Sequence, residues 1–315
     1  MAYYKPQKNI PLPYTERHFP VERRNKRAIW PNGARMAFIG YVALEQWDWN
    51  QPRTFSLTGR PPYNPNPILG HPPLDVRTQV KYGAEIGMPR IRDILQEVGV
   101  PFTMLTCGSY AEDFPRIVKE LSDLGYEINA HTYSYSVAAT DLSLAEHRED
   151  IQRTYRILED VTGKRPTGWL SPSAQCDINT IAACVEEGVL YNADLQDDEL
   201  PYFLELNGKS IVIVPYRMIG NINDYLLLKP QNMTLSDSLE FMKQSFDRCY
   251  EAAGTTPLLF NFGTHPFVIG RADAAQIFRE FLRYVKSRSG VWMTTLEGVA
   301  NWWNEAYRNG YGVAG

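Results

Sequence analysis

The sequence predicts an α/β protein folded as a single (β/α) barrel. Short apolar runs, bounded by Gly, Pro or Asn, alternate with longer segments of helical period at intervals of about 20 to 40 residues. About seven or eight such units follow one another with no central boundary, which suits a closed barrel better than an open doubly wound sheet. Several apolar runs end on a residue able to move a proton, and barrels carry their reactive groups at the C-terminal ends of strands.

Composition bounds this reading. With 315 residues, 44% hydrophobic and 22% charged, the chain can bury a large core and is not expected to be disordered. A net charge of -4 offers no basic field for nucleic acid. No apolar run approaches the ~18 residues of a membrane span. The first residues, M-A-Y-Y-K-P-Q-K-N, show neither a hydrophobic signal region nor a lipidation motif, so a cytoplasmic protein is expected. Cys107, Cys176, Cys184 and Cys249 form no C-x-x-C pair and read as free thiols.

In chain order, residues 1–33 are rich in proline and charge and read as an extended arm, with one barrel domain over 34–315. Residues 35–42 form the first buried strand, ending near Glu45. The aromatic, proline-rich stretch 47–71 reads equally as a wall of the site or as a loop packed outside. A helix opens at Pro89 and stops at Gly99, and a strand follows over 100–105. The spacing of Ile117, Val118, Leu121 and Leu124 gives a helix over 114–124, stopped by Gly125. The next strand ends on His131. Ser143 and Glu146 form a capping box for a long helix over 142–162. Strands over 166–170, 189–194, 211–215, 257–262 and 291–294 alternate with helices over 179–187, 235–253 and 272–287. A short helix through Trp302 and Trp303 closes the chain.

Glu45, His131, Asp194 and His265 fall at strand ends. A carboxylate just past an apolar strand can act as a base, and two of the five histidines at matching strand ends suggest an acid/base pair. Asp194, in an acidic loop, could bind substrate or orient a histidine; Asn223-Asp224 is a similar but weaker signal. No nucleotide fingerprint follows any strand, so no organic cofactor is expected.

In combination the motifs are specific: R-M-A-F-I-G-Y-V-A-L-E (35–45), Y-G-A-E-I-G-M-P-R (82–90), G-Y-E-I-N-A-H-T-Y-S-Y (125–135), T-G-K-R-P-T-G-W (162–169), D-L-Q-D-D-E-L-P-Y (194–202), V-P-Y-R (214–217) and T-H-P-F-V-I-G-R (264–271). This ordered set resembles the polysaccharide deacetylase superfamily, and within it the allantoinase-like branch. The resemblance implies a distorted (β/α) barrel of about seven strands and hydrolysis of a carbon–nitrogen bond in a small linear or cyclic amide, ureide or imide. A metal-dependent N-deacetylase of an amino sugar or glycan, and an inactive ligand-binding or assembly subunit, are the alternatives.

Metal-dependent members carry paired aspartates after the first strand and two histidines four residues apart after the third. Here Glu45-Gln46 replaces the aspartates and Tyr135 the second histidine. Leu170-Ser171-Pro172 also lacks the arginine of the family's arginine-proline motif. A metal-free site is therefore expected; a divalent ion such as zinc would have Glu45 and His131 as ligands. Glu45, His131 and His265 are the expected catalytic set, with the base role open between Glu45 and His131. Gln46, Tyr135, Trp169, Ser171, Asp194 and Tyr202 are the expected substrate-binding set. The arm and the C-terminal aromatics Trp302, Trp303 and Tyr307 suggest a homo-oligomer.

Overall fold

The computed structural model describes residues 30–47, 74–137, 139–206, 208–216, 222–228 and 233–307. The expected arm up to residue 29 and the aromatic stretch 48–73 lie outside the described residues. Ten described strands form one sheet: β1 (Met36–Leu44), β2 (Thr103–Thr106), β3 (Glu127–Ala130), β4 (Gly168–Trp169), β5 (Tyr191–Asn192), β6 (Tyr202–Leu206), β7 (Lys209–Ile213), β8 (Ile222–Asn223), β9 (Leu258–Thr264) and β10 (Val291–Thr294). Their order is β6-β7-β5-β4-β3-β2-β1-β9-β8, with β10 pairing β1. All pairs are parallel except β6 with β7. The sheet curls back on itself. Leu259 N–H of β9 donates to Glu199 O at 3.2 Å, and Asn261 Nδ2 donates to Pro215 O at 3.1 Å.

Ten helices accompany it among the described residues: α1 (Leu74–Tyr82), α2 (Met88–Val98), α3 (Gly108–Asp113), α4 (Pro115–Asp123), α5 (Leu144–Thr162), α6 (Ile178–Glu186), α7 (Asp224–Leu228), α8 (Leu235–Ala252), α9 (Ala274–Lys286) and α10 (Leu296–Tyr307). The capping box at Ser143 and Glu146 is present, and Gly163 ends α5 in the left-handed conformation. No described helix is long and apolar enough to cross a membrane.

Two faces of β1 explain the layering. Side chains alternate along a strand, so Phe38 belongs to one row and Tyr41, Ala43 and Glu45 to the other. Phe38 packs outward with Phe260 and Phe262 of β9 against Phe246 of α8 and Phe281 of α9, with ring centroids 5.7 to 6.4 Å from Phe38. The opposite row lines the barrel, where Tyr41 meets Tyr216 at 5.1 Å. Seven consecutive pairs, from Met36↔Leu258 to Val42↔Thr264, fix the register of β1 on β9.

The eight strands expected from sequence are present. Two more, β6 and β8, are additions: the acidic loop that begins at Asp194 ends in β6, which pairs with β7 as an antiparallel hairpin. The helix expected from Pro89 is preceded by α1 and a π-turn, Gly83–Gly87. A proline at the start of α2 cannot donate a helical hydrogen bond, and a widened turn accommodates it. At the barrel base Trp30 is buried, with its Nε1–H on Leu258 O at 3.1 Å. Trp303 is buried within its own chain, 6.0 Å from Trp30 and 4.4 Å from Tyr307.

Candidate active site

Four of the five strands in the run β3-β2-β1-β9-β8 deliver four titratable groups to one edge of the sheet. β1 ends at Leu44 and the next residue is Glu45; β3 is followed by His131, β9 by His265 and β8 by Asp224. All four side chains are buried. Glu45 Oε1 lies 3.6 Å from His265 Nε2 and 3.8 Å from His131 Nε2. These distances are ion-pair contacts rather than hydrogen bonds. Asp224 grips His265 from the other side. Its Oδ1 is 2.7 Å from His265 Nδ1, and its Oδ2 accepts from the backbone N–H groups of His265 at 2.8 Å and Ile269 at 3.2 Å.

This arrangement sets the charges. Burial alone would raise the pKa of Glu45, but the charge of His265 and the contacts of both histidines outweigh it and bring it down to about 2. Burial alone would lower His265, but Asp224 and Glu45, one on each side, hold it up at about 10. Asp224 itself is raised by burial, partly offset by His265. Near neutral pH the site thus holds a carboxylate facing an imidazolium, with a second carboxylate behind. That is a base and an acid already in the forms needed.

His131 is mounted differently. Its Nδ1 lies 2.5 Å from Leu170 O, a carbonyl that can only accept, so Nδ1 carries a proton. The other ring nitrogen faces Glu45. The turn after it is strained: Thr132 has φ 63°, rare for a β-branched residue. Asp150 of α5 holds that turn, accepting from Thr132 Oγ1 at 2.6 Å and from Tyr133 N–H at 2.7 Å.

The expected catalytic residues Glu45, His131 and His265 therefore meet, and the expected binding residues largely do not join them. Gln46 Nε2 is 2.5 Å from Asp113 Oδ2, and its Oε1 accepts from Trp47 N–H at 3.1 Å. Tyr135 lies tilted beside His131, 5.7 Å between centroids, but its hydroxyl shares a 2.8 Å hydrogen bond with Ser173 Oγ. Ala130, Trp169 and Asn192 are register partners across β3, β4 and β5. Asn192 reaches Cys184 of α6, so this row faces the helices. Trp169 shares it as the register partner of Asn192. The Asp194 carboxylate is occupied by Ser171 N–H at 2.6 Å, Ser171 Oγ at 2.9 Å and Asn192 Nδ2 at 2.8 Å, and it bonds no histidine. The histidine's partner is Asp224. Trp169 Nε1 donates to Ser171 Oγ at 3.0 Å, and Tyr202, on β6, donates to Asp197.

Among the described residues no group of three His, Cys, Asp or Glu side chains is disposed to hold an ion. The positions where the resemblance puts further ligands are Gln46 and Tyr135, whose polar atoms are turned to Asp113 and Ser173. His265 Nδ1 is engaged by Asp224, and its Nε2 faces Glu45. Among the described residues, Gln46 and Tyr135 do not complete a three-ligand hydrolytic set.

One wall of the site was not foreseen from sequence. Glu45 is packed among Ala43, Val80, Gly83, Ala84, Tyr110, Pro266 and Phe267. The π-turn reaches it through Gly83, where a Cβ would sit 3.0 Å from Phe267 N, and at Gly87 a Cβ would overlap Pro266 O. Glycine at both places lets the helix pack directly on the segment carrying His265. Two buried polar atoms of these residues have no hydrogen-bond partner: Glu45 Oε2 and the Tyr110 hydroxyl.

Comparison with known proteins agrees with this fold. Residues 80–191 match the family model described as polysaccharide deacetylase. A peptidoglycan deacetylase of Helicobacter pylori is 24% identical over 254 residues, covering 70% of this chain and 84% of that protein. The crystal structure of PuuE allantoinase superposes with a TM-score of 0.79 and 26% identity, covering 90% of this chain and 94% of its own. A probable polysaccharide deacetylase from Pseudomonas aeruginosa superposes with a TM-score of 0.78 at 24% identity, covering 90% and 95%.

Proposed function

We propose, from the match of residues 80–191 to the polysaccharide deacetylase family model, that the protein hydrolyses the carbon–nitrogen bond of a small linear or cyclic amide, ureide or imide. Cleavage of carbon–nitrogen bonds is common to the deacetylases and the allantoinase it resembles. The narrower reading rests on one observation: the facing Glu45 carboxylate and His265 imidazolium, with Asp224 behind the histidine. That pair carries both proton transfers of amide hydrolysis within the side chains of this chain.

In this mechanism water attacks the carbonyl carbon and its oxygen forms the new C–O bond. Glu45 takes the proton from that water. The C–N bond then breaks as His265 Nε2–H gives its proton to the leaving nitrogen. Asp224 keeps the ring oriented and stabilises its charge throughout. The Glu45 proton returns to His265 Nε2 across the 3.6 Å gap and restores the starting state. His131, with Nδ1–H fixed on Leu170 O, presents its other nitrogen to Glu45 and steadies the base.

The relatives support a second reading, N-deacetylation of an amino sugar or glycan, since one of them is named a peptidoglycan deacetylase. One panel decides between the two. Wild type, Glu45→Gln and His265→Ala are assayed on hydantoins, cyclic imides, linear ureides and N-acetylglucosamine oligomers, with and without chelator. Turnover of a small amide that survives chelation and collapses in both variants supports the proposal. Chelator-sensitive turnover of the acetylated sugars alone overturns it.

A further inference from the structure

We infer that a cavity at the base of the barrel, walled in part by Lys164 and Glu297, is a binding site for a small zwitterion of the amino-acid class. The inference stands apart from what the Glu45 site hydrolyses. The cavity measures about 300 Å³, room for a small ligand. Three segments wall it: residues 122 and 125–128, before and within β3; residues 164–167, before β4; and Thr295 with Glu297, where β10 passes into α10. Glu127 opens β3 and His131 follows its last residue, so the cavity lies roughly 13 Å along the strand from the catalytic groups.

Charge decides what fits there. Glu127 is already engaged: it accepts from Thr103 Oγ1 at 2.7 Å, from the Tyr191 hydroxyl, and from Glu297 N–H at 3.1 and 3.2 Å. It anchors the first turn of α10 and has little left to offer a ligand. Arg165 is engaged by Glu159 at 3.6 Å and lies over the Tyr155 ring. Two groups of opposite sign remain open. Glu297 Oε1 accepts from Thr167 Oγ1 at 3.1 Å, and no described residue donates to its Oε2. Lys164 Nζ reaches only the Ser122 carbonyl, at 3.5 Å, and meets no carboxylate among the described residues.

Lys164 is also held in place. The Thr162 hydroxyl, on a buried residue, accepts from Lys164 N–H at 3.1 Å and lies 2.9 Å from the Lys164 carbonyl oxygen. Pro166 stiffens the chain two residues on. An open ammonium and an open carboxylate oxygen thus share one cavity. A lone carboxylate entering it is repelled by Glu297, and a lone amine by Lys164. A molecule carrying both charges is attracted at both ends.

The test is calorimetric titration of the full chain with glycine, β-alanine and 4-aminobutanoate, which differ in the spacing of their charges. Acetate and propylamine serve as single-charge controls. One zwitterion should bind at least about ten-fold tighter than either control, the scale of one charge-assisted hydrogen bond. Lys164→Met and Glu297→Gln should each weaken that zwitterion by about ten-fold, while Glu45→Gln binds it as wild type does. Melting temperatures without ligand show which variants are folded, and one folded wall variant suffices to decide. Binding of no zwitterion overturns the inference, as does a control that binds equally well. A folded wall variant that binds within two-fold of wild type also overturns it. So does loss of binding in Glu45→Gln, which would put the ligand at the catalytic groups.

Discussion

Asp224 Oδ1 and His265 Nδ1 lie 2.7 Å apart, while the other oxygen of the same carboxylate accepts from the His265 backbone N–H at 2.8 Å. One carboxylate thus fixes the main chain and the ring of the same residue, so its removal should disturb the ring's charge and its position together. Asp224→Asn is expected to lower kcat/KM by on the order of 1,000-fold. The alkaline limb of the pH profile should also move to lower pH, because the asparagine no longer favours the imidazolium. A pH–rate profile with its alkaline limb unmoved would show that Asp224 does not hold the proton.

The same charges should appear in stability. His265 has its folded pKa raised from about 6.5 to about 10 by Asp224 and Glu45. Its contribution is therefore fully present below pH 6.5 and is lost as pH rises through about 10. His265→Asn should be most destabilising at pH 6, and the difference from wild type should shrink toward pH 10 in urea titrations. Breaking a buried pair of this kind costs about 3–5 kcal/mol. A difference that grows with pH would contradict the assignment of charge.

Glu45 works with the opposite sign. Its pKa is lowered to about 2, so its contribution is present above about pH 4.5 and is lost as pH falls toward 2. Glu45→Gln should cut kcat by on the order of 100- to 10,000-fold, the usual range for a lost general base. Circular dichroism at neutral pH should still show a folded protein. Substantial turnover in that variant would move the base role to His131.

Prolonged dialysis against chelator should leave activity unchanged, and metal analysis of the purified protein should find less than one ion per ten chains. The reason is the donor set: Gln46 and Tyr135 stand where two further ligands would be required, and both are turned to other partners. Activity lost to chelator and restored by zinc would overturn it.

Gly87→Ala should destabilise the protein by at least about 1–3 kcal/mol and impair turnover, because the added methyl overlaps Pro266 O beside His265. Urea titration reads the first effect and kcat the second. An alanine variant of native stability would mean that the π-turn and the His265 segment can part without harm.

Much of this molecule was legible in the chain. Glu45, His131 and His265 each follow a dense apolar run, and that pattern alone placed them at matching strand ends. The β6–β7 hairpin was missed although its signal was present. Tyr202-Phe-Leu-Glu-Leu and Lys209-Ser-Ile-Val-Ile flank Asn207-Gly208, a strong short-range hairpin cue. Asp194 drew attention through its place after a buried strand and its acidic neighbours, but its carboxylate is taken up by Ser171 and Asn192. Asp224 was the weaker signal because β8 is only two residues long and carries no apolar run of its own.

The register of β1 on β9 has a consequence for how this site can be lost. Seven backbone pairs from Met36↔Leu258 to Val42↔Thr264 decide which residue faces inward after Leu44. A slide of one residue would turn the Glu45 carboxylate into the helix layer and offer Gln46 to the two histidines, with every atom of the catalytic set still encoded. The chemistry is thus addressed by position along the strand as much as by residue type. A single deletion within 36–42 should silence the protein as completely as substituting Glu45 itself.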